Sequence, residues 1–271
     1  MLNNFLARPN NFPLRRLFWR FWYNYFASKY QDINIVLMNY GYTDFKTDRL
    51  SLDHTDERER YCIQLYHHVA NVVPLEGLDV LEVGCGRGGG ASYLRRYLNP
   101  QSVTGVDFSA NNIQFCRQRH QMLGLEFSVD DAESLSLPDH AFDAVVNIES
   151  SHCYRQIERF FSEVFRVLRP QGYFLFADFR PQEAVEATRK QLIKAGFSIL
   201  KQEAITANVL AAMDLENERK LGIIKTKIPV GFHGLARWFA GIQGSPVYEA
   251  FHQGDLEYWC YLLQQSHPSQ G

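Results

Sequence analysis

The sequence predicts an α/β fold built on an open, doubly wound sheet, and two observations support this prediction. From about residue 60, short apolar runs that favour β-strands alternate with segments of helical periodicity, which is the pattern of parallel strands joined by crossover helices. The first of these runs leads directly into a glycine-rich loop and then a helix, within residues 79–98. Because glycines at such a turn let a ligand approach the backbone, we expect a Rossmann-like sheet with a ligand site at its strand ends.

Composition narrows the class of protein. The chain has 271 residues, of which 46% are hydrophobic and 21% are charged, a balance typical of a packed globular protein. A net charge of -2 provides no overall field for a polyanion, so we expect no nucleic-acid partner. The chain has no apolar run of about 18 residues and no signal-peptide pattern, and its cysteines form no C-x-x-C pair. We therefore expect a cytoplasmic protein with reduced thiols.

Residues 1–60 are predicted to form a helical lid that precedes the main domain. Arg15, Arg16 and Arg20 are interspersed here with aromatic residues, including Trp19 and Trp22. This composition predicts a short aromatic and basic helix. Two roles stay open for it: its aromatic face packs on the core, or it makes a peripheral contact with a membrane surface or a lipid substrate.

The main domain, residues 61–265, is predicted to contain seven strands. They lie near residues 79–83, 102–107, 125–129, 142–147, 171–178, 197–205 and 256–263. The helices between them lie near residues 89–98, 109–123 and 155–168, with a further helix of about 14 residues after Pro181. Residues 206–252 are too long for a turn and mix helical sequence with glycine breaks, so we interpret them as a helical cap inserted over the strand ends.

The glycine-rich loop permits two classes of cofactor. Gly84, Gly86 and Gly89 fit the G-x-G-x-x-G pattern, so the glycines alone allow a nicotinamide-dependent reductase. Glu82, two residues before the loop, favours another class. A carboxylate there repels a pyrophosphate but attracts the cationic amino-acid and sulfonium end of S-adenosylmethionine.

Acidic residues also follow the next two predicted strands. Asp107 ends the second strand, where a carboxylate can bind both ribose hydroxyls of a nucleotide cofactor. Asp131, followed by Ala132, comes directly after the third strand, where an acid can accept a hydrogen bond from an adenine amino group. A lone aspartate is commonly a helix cap or a turn residue, but ligands of open α/β sheets bind beyond the carboxyl ends of the strands, where these residues fall.

These motifs together resemble the class I S-adenosylmethionine-dependent methyltransferases. The resemblance is carried by the glycine motif, the acidic end of the second strand, the Asp131-Ala132 pair and the Leu-Arg-Pro-x-Gly turn at residues 168–172. It implies a mostly parallel seven-stranded sheet with an antiparallel last strand. Residues 85–94 and 149–154 resemble more closely the mycobacterial O-methyltransferases of phthiotriolone-type lipids, and this implies O-methylation of a lipid or polyketide-like natural product.

The same resemblance implies where the cofactor binds. Its contacts correspond to residues at the ends of the first four strands and in the following helix, namely Gly84, Gly86, Asp107, Asn112, Asp131, Ala132 and Asn147. Tyr42 resembles the Gly-Tyr element that closes over the cofactor in small-molecule methyltransferases, although a tyrosine in such a run is also commonly a packing residue.

A hydroxyl acceptor must lose a proton during methyl transfer. His152 follows the fourth strand, and a neutral imidazole is the usual base near pH 7, so we predict that His152 is the general base. Asp178, at the end of the neighbouring fifth strand, would hold the imidazole, with Glu149 as a competing partner. This pair resembles that of natural-product O-methyltransferases. We expect no metal ligand set, and C- or N-methylation of a lipid or polyketide stays open as an alternative.

Overall fold

The computed structural model describes residues 35–45 and 50–266. Seven strands in these residues form one sheet in the order β3-β2-β1-β4-β5-β7-β6. The strands are β1 (Asp79–Val83), β2 (Ser102–Asp107), β3 (Leu125–Val129), β4 (Phe142–Ile148), β5 (Leu168–Pro181), β6 (Phe197–Ala204) and β7 (Leu256–Gln265). The pairings among β1 to β5 are parallel, whereas β7 runs antiparallel to both β5 and β6. The predicted fold class is therefore confirmed, including the antiparallel last strand.

Helices cover the two faces of this sheet and the segment before β7. They are α1 (Arg60–Ala70), α2 (Gly89–Tyr97), α3 (Ala110–Arg119), α4 (Ile157–Val167), α5 (Val185–Lys194), α6 (Thr206–Lys227), α7 (His233–Phe239) and α8 (Pro246–Gln253). The last three lie between β6 and β7, in the segment that we interpreted as a cap. Helix α8 begins where Ser245 accepts a hydrogen bond from the Tyr248 amide and Pro246 occupies the first helical position.

The sheet is buried on both faces because neighbouring residues along a strand point to opposite sides. In β1, Val80 belongs to the apolar core shared with α1 and α2, and Leu81 belongs to the core shared with α4. Helix α4 presents Phe160, Phe161, Val164 and Val167 at helical spacing to the second core. With both faces covered, the carboxyl ends of the parallel strands are the place where a ligand can enter.

Two helix boundaries differ from the sequence prediction for physical reasons. Helix α4 ends at Val167 and β5 begins directly at Leu168, because Arg169 precedes Pro170 and a residue before proline disfavours the α conformation. Helix α3 ends at Arg119 rather than near residue 123, and Nε2 of His120 lies 2.9 Å from the Arg87 carbonyl oxygen. That tertiary contact with the glycine loop has no local sequence signal.

The aromatic and basic helix predicted around residues 15–26 lies outside the described residues, so its contact with membrane or core stays a prediction. The described chain starts at Ile35, which packs against a small apolar cluster in the cap (Ile224, Ile228, Ala236 and Ile242). Among the residues of the two described ranges, no helix is both long enough and apolar enough to cross a bilayer.

Candidate active site

A cavity of about 1190 Å³ opens at the carboxyl ends of β1, β2, β3, β4 and β5. This is larger than the range of about 300–1,000 Å³ typical of small-molecule sites, so there is room for a cofactor and a second molecule. The cap contributes to its wall through α7 and α8, and the segment around residues 36–40 forms another side. Most of the site residues predicted from the sequence line this one cavity.

The glycine loop forms the part of the wall that follows β1. Gly84 and Gly86 both line the cavity, with φ angles of +75° and +53° that favour glycine. The Gly84 amide donates to the Val106 carbonyl oxygen at 2.8 Å, which fixes the loop to β2. A Cβ on Gly84 would collide with the hydroxyl of Ser150, so both the backbone angle and the available space require glycine here.

Asp107 lies on the cavity wall beside this loop. One carboxylate oxygen, Oδ2, accepts from the Gly86 amide at 2.9 Å, and Oδ1 accepts from the Ser109 amide at 2.8 Å. Asn112, also on the wall, donates from Nδ2 to Oδ1 at 3.3 Å. Burial raises the pKa of Asp107 above its ordinary value, although these hydrogen bonds favour the carboxylate. Ser109, not Asp107, is the N-cap of α3.

Asp131 and Ala132 line the cavity at the end of β3. The Asp131 carboxylate accepts from the Glu133 amide at 3.0 Å, and its backbone forms an isolated bridge with Ser134. The predicted turn is therefore real, but it lies on the cavity wall. The predicted residues Gly84, Gly86, Asp107, Asn112, Asp131 and Ala132 thus share one cavity.

Glu82 is fully buried and does not line the cavity. Its Oε1 accepts from the Tyr66 hydroxyl at 2.6 Å, and a Cβ on Gly90 in the first turn of α2 would collide with the same carboxyl group. Burial raises the pKa of Glu82 to about 8, so this acid is largely protonated near pH 7. Tyr66 and α2 enclose the carboxyl, and a direct attraction between Glu82 and a cationic cofactor stays a prediction.

Asn147 is also fully buried and is absent from the cavity wall. Its Nδ2 donates to the Val83 carbonyl oxygen at 2.9 Å and to the Ser150 hydroxyl at 2.7 Å. Asn147 therefore connects the ends of β1 and β4 beneath the glycine loop. Its geometry suits a residue that positions the loop rather than one that touches a ligand.

Tyr42 lies away from the cavity, and Tyr40 lines it instead. The Tyr42 ring stacks on His68 with 4.1 Å between ring centroids. Gly41 between the two tyrosines has a φ of +92°, and this turn directs them to different environments. The Tyr40 ring packs against Phe179, which also lines the cavity, with 5.7 Å between ring centroids.

His152 and Asp178 meet on the wall of the cavity that β4 and β5 form. Nδ1 of His152 lies 2.9 Å from Oδ1 of Asp178, and the His152 amide donates to Oδ2 at 2.9 Å. Oδ2 also accepts from the Ser151 hydroxyl at 2.6 Å. The Asp178 side chain is almost fully buried, whereas that of His152 is 19% exposed and lines the cavity. The competing partner, Glu149, makes no hydrogen bond to His152 among the described contacts.

The pKa values of both groups in this pair are strongly shifted from their ordinary values. Burial disfavours the charged imidazole, but the nearby Cys153 and Asp178 and the hydrogen bond to Asp178 outweigh burial and raise the pKa of His152 to about 10. Burial likewise opposes a charged Asp178, yet His152 and Arg180 hold the pKa of this carboxyl well below its usual range. In the free protein, therefore, the pair favours an imidazolium at His152 and a carboxylate at Asp178.

Arg180 lines the cavity but is not among the site residues predicted from the sequence. Its Nη2 donates to the Ser151 hydroxyl at 2.6 Å, and its Nη1 lies 3.2 Å from Oδ2 of Asp178. The available signal was strand periodicity, because residues two apart on β5 point to the same face. The positive groups of Arg180 and His152 thus surround one carboxylate.

Glu149 was considered only as a partner of His152, but it has a separate place in the site. It lines the cavity with a φ of +51°, a strained backbone angle that is uncommon for a residue with a side chain. Its Oε2 accepts from the Tyr40 amide at 2.9 Å and the Tyr258 hydroxyl at 3.1 Å. Burial raises the pKa of Glu149 to about 8. Glu149 therefore joins the segment around Tyr40 to the end of β4.

The cavity wall also has apolar groups, one of them beside His152. Phe179 packs on the His152 ring with 4.3 Å between centroids, and the cap contributes large hydrophobic groups. The apolar lining contributed by β5, the cap and the start of β7 comprises Phe179, Trp238, Phe239, Val247, Ala250 and Leu256. This half of the cavity suits a hydrophobic molecule.

The glycine-loop half of the cavity fits S-adenosylmethionine. Two carboxylates, Asp107 and Asp131, line it beside a backbone that carries no side chain at Gly84 and Gly86. Carboxylates only accept hydrogen bonds when ionised, and the cofactor offers ribose hydroxyls, an adenine amino group and a cationic end as partners. Within residues 35–45 and 50–266, no group of three or more His, Cys, Asp or Glu side chains is arranged to hold a metal ion.

Several known proteins are similar in sequence to this chain. A family model described as a methyltransferase domain matches residues 81–176, which span β1 to β5 and include His152. The phthiotriol/phenolphthiotriol dimycocerosates methyltransferase of Mycobacterium tuberculosis is 38% identical over 261 residues, which are 96% of this chain and 97% of that protein. The fatty-acid O-methyltransferase of Mycolicibacterium smegmatis is 39% identical over 241 residues, which are 89% of this chain and 87% of that protein.

Solved structures share the fold at lower sequence identity. The cyclopropane synthase MmaA2 from Mycobacterium tuberculosis has a TM-score of 0.66 and 16% identity, with 86% of this chain and 95% of that chain covered. Its name describes a reaction other than transfer to oxygen, so the shared fold alone does not identify the acceptor.

Proposed function

Because this chain belongs to the S-adenosylmethionine-dependent methyltransferases, we propose that it methylates a hydroxyl of a hydrophobic, lipid-like molecule. In this proposal His152 is the general base and Asp178 orients it. The observation that carries the proposal is the 2.9 Å contact between Nδ1 of His152 and Oδ1 of Asp178 on the cavity wall. When bound, the cofactor supplies an activated methyl group, and the protein aligns the acceptor and excludes water.

The contact with Asp178 determines which nitrogen of His152 can act. An ionised carboxylate can only accept a hydrogen bond, so the proton lies on Nδ1 of the imidazole. When the ring is neutral, its lone pair is therefore on Nε2, the nitrogen that can accept the proton of an acceptor hydroxyl. The buried carboxylate also stabilises the imidazolium that forms, which is the role of the third group in a catalytic triad.

For His152 to accept a proton, its pKa must fall when the cofactor binds. The pKa of about 10 belongs to the protein without a ligand, where Cys153 and Asp178 both favour the charged ring. A sulfonium brings a second positive charge into the same cavity, and a like charge disfavours the imidazolium. We propose that this repulsion releases the proton of His152 and prepares Nε2 for catalysis.

We propose that the cofactor is held by Gly84, Gly86, Asp107, Asn112, Asp131 and Ala132, which line the glycine-loop half of the cavity. Asp107 is suited to the ribose hydroxyls and Asp131 to the adenine amino group. Glu82 and Asn147 would act indirectly, by supporting the loop from below. Tyr42 would support the site only indirectly, by packing on His68. Tyr40 lines the cavity and is therefore better placed to contact a ligand.

The acceptor class rests on the apolar half of the cavity and on the relatives. Two relatives are named after their substrates, phthiotriol/phenolphthiotriol dimycocerosates and fatty acids, and both of these are lipids. Phe179 of β5 packs on the His152 ring, and Trp238 and Phe239 of the cap line the same cavity. No contact among the described residues favours carbon or nitrogen as the methylated atom.

A second candidate is methylation of a carboxylate. The charged His152 and the neighbouring Arg180 present two positive groups to the cavity, and these would bind an anionic acceptor. A carboxylate is already deprotonated at neutral pH and needs no base. In this reaction His152 would act as an imidazolium anchor, so the two candidates require opposite protonation states of the same ring.

The experiment that tests the proposal supplies labelled S-adenosylmethionine with two acceptors of equal chain length, hexadecan-1-ol and hexadecanoic acid. Mass spectrometry then identifies the product as a methyl ether or a methyl ester. The proposal expects the ether. Ester formation alone would support the second candidate. An unsaturated analogue of the two acceptors is assayed in parallel, and its methylation at carbon would contradict both candidates.

A further inference from the structure

The cap carries a cationic segment in a chain whose net charge is negative. Between Glu218 and Glu249 the sequence contains no acidic residue, whereas its basic residues are Arg219, Lys220, Lys225, Lys227 and Arg237. Two of these have partners within the described chain. Arg219 pairs with Glu216, and Lys220 donates to the Ala240 carbonyl oxygen at 3.3 Å. The other three charges are concentrated where α6 ends and α7 begins.

We call residues 225–237 the cap tip. Lys225, Lys227 and Arg237 are exposed, and none of them takes part in an ion pair among the described residues. Val230 between them is 83% exposed, which is unusual for a β-branched hydrophobic residue. The cap tip therefore combines three solvated cations with a protruding apolar group.

The cap tip and the cavity wall share helix α7. Helix α7 carries Arg237 on the exposed surface and Trp238 and Phe239 on the cavity wall. One side of the same short helix thus faces solvent, while adjacent residues reach the apolar half of the site. A hydrophobic molecule that leaves a membrane at the cap tip would meet α7, whose Trp238 and Phe239 line the cavity that also contains His152.

The N-terminal segment joins the protein at this position. Ile35, the first described residue, packs against the cap cluster formed by Ile224, Ile228, Ala236 and Ile242. The 34 residues that precede it contain Arg15, Arg16 and Arg20 among aromatic residues. The sequence before Ile35 is therefore basic and aromatic, and Ile35 itself packs against the cap.

We propose that the cap tip docks on an anionic lipid bilayer, with Val230 entering the apolar layer and Lys225, Lys227 and Arg237 contacting the headgroups. Basic residues beside exposed apolar groups are the composition that binds such an interface. A nucleic acid or an acidic protein would pair with the cations but would leave Val230 without an apolar partner. The inference concerns a surface and does not rest on the proposed reaction.

The first test measures sedimentation of the full-length protein with vesicles of phosphatidylcholine, alone or mixed in equal parts with phosphatidylglycerol. We expect binding to the anionic vesicles that weakens as salt rises. Each cation near an anionic surface contributes about fivefold in affinity, so the double variant K225E/K227E should bind at least about 25-fold more weakly. V230D should also weaken binding. The control L123D changes a leucine that is 92% exposed outside the cap, and it should bind normally.

These measurements can overturn the inference in three ways. Equal binding to neutral and anionic vesicles would show that the cap-tip cations do not contribute to binding. Anionic binding that K225E/K227E and V230D leave unchanged would assign the contact to another surface, and an absence of binding would exclude a membrane partner. Circular dichroism of each variant confirms that folding is retained, as expected for substitutions at exposed positions.

A second test reports on the environment of residue 230 itself. A solvatochromic dye on V230C should emit at shorter wavelength when anionic vesicles are added, with the unmodified chain as the control for labelling of native cysteines. Short-wavelength emission before vesicles are added would mean that the N-terminal segment or a second copy already covers Val230. That result would overturn membrane docking at the cap tip.

Discussion

The imidazole of His152 and the carboxylate of Asp178 are joined across neighbouring parallel strands. Ile148 at the end of β4 pairs with Ala177 on β5, so the loop that carries His152 begins beside the residue before Asp178. The result is a distance of 2.9 Å between Nδ1 and Oδ1. Asp178 also accepts from the amides of His152 and Phe179, which fixes the carboxylate independently of the ring.

Replacing Asp178 with Asn should lower the pKa of His152, because the substitution removes the charge that stabilises the imidazolium. NMR titration of the ring measures this pKa directly in the ligand-free protein. For a hydroxyl acceptor, kcat/KM should rise with pH as His152 loses its proton, and D178N should move this rise to lower pH while lowering the maximum by about 10²-fold or more. An unchanged His152 pKa in D178N would show that Asp178 does not control the charge of the ring.

Binding of S-adenosylmethionine should release a proton, whereas S-adenosylhomocysteine, which lacks the sulfonium charge, should release much less. The reason is the repulsion expected between the sulfonium and the protonated His152. Calorimetry in buffers with different ionisation enthalpies measures the number of protons released. The same titrations on H152A provide the control, in which the two ligands should behave alike. Equal proton release by both ligands with the original protein would argue against this mechanism.

Replacing Glu82 with Gln should stabilise the protein increasingly as pH rises. Burial raises the folded-state pKa of Glu82 from its usual value near 4.5 to about 8, so the original protein retains full stability from this group below pH 4.5 and loses it as pH rises to about 8. Glutamine does not titrate but can still accept from Tyr66. The stability difference between E82Q and the original should grow by up to about 1.4 kcal/mol per pH unit in this window.

Urea denaturation at pH 5, 6 and 7 measures that difference. Parallel stability curves for the two proteins would mean that Glu82 is ionised in the folded state, as the prediction of a direct attraction to the cofactor requires. The affinity of E82Q for S-adenosylmethionine should stay close to that of the original protein, because the acid is already largely neutral near pH 7.

Substitution of the two tyrosines should separate their roles. Y40L should raise KM for the acceptor or weaken cofactor binding, since Tyr40 lines the cavity and packs on Phe179. Y42L should mainly lower thermal stability through loss of stacking on His68, with little change in KM. The pair forms a matched comparison because both residues are buried tyrosines in one short segment. A larger effect of Y42L than of Y40L on KM would support the prediction that Tyr42 contacts the cofactor.

Features that depend on local sequence pattern and on the positions of strand ends could be predicted from the sequence. Asp107 and Asp131 could be predicted to line one cavity because the carboxyl ends of parallel strands meet at one edge. His152 and Asp178 could be paired for the same reason, since they follow neighbouring strands. The seven strands likewise followed from short apolar runs separated by helices.

Features that depend on side-chain direction could not be predicted. Whether Glu82 faces the cavity or the underside of α2 depends on the position of Tyr66, which is far from it in sequence. Tyr40 and Tyr42 differ only through the turn at Gly41, and no composition rule distinguishes them. The same holds for Glu149, whose left-handed backbone and contacts with Tyr40 and Tyr258 arise from tertiary packing.

The central claim is most directly tested by the rate of methyl ether formation from hexadecan-1-ol by H152A and by the control H252A, which changes an exposed histidine that does not line the cavity. If His152 is the base, H152A should lower kcat by about 10²–10⁴-fold without weakening S-adenosylhomocysteine binding, and H252A should be unaffected. Unchanged ether formation by H152A would contradict the account, as would a product that is exclusively the methyl ester of hexadecanoic acid.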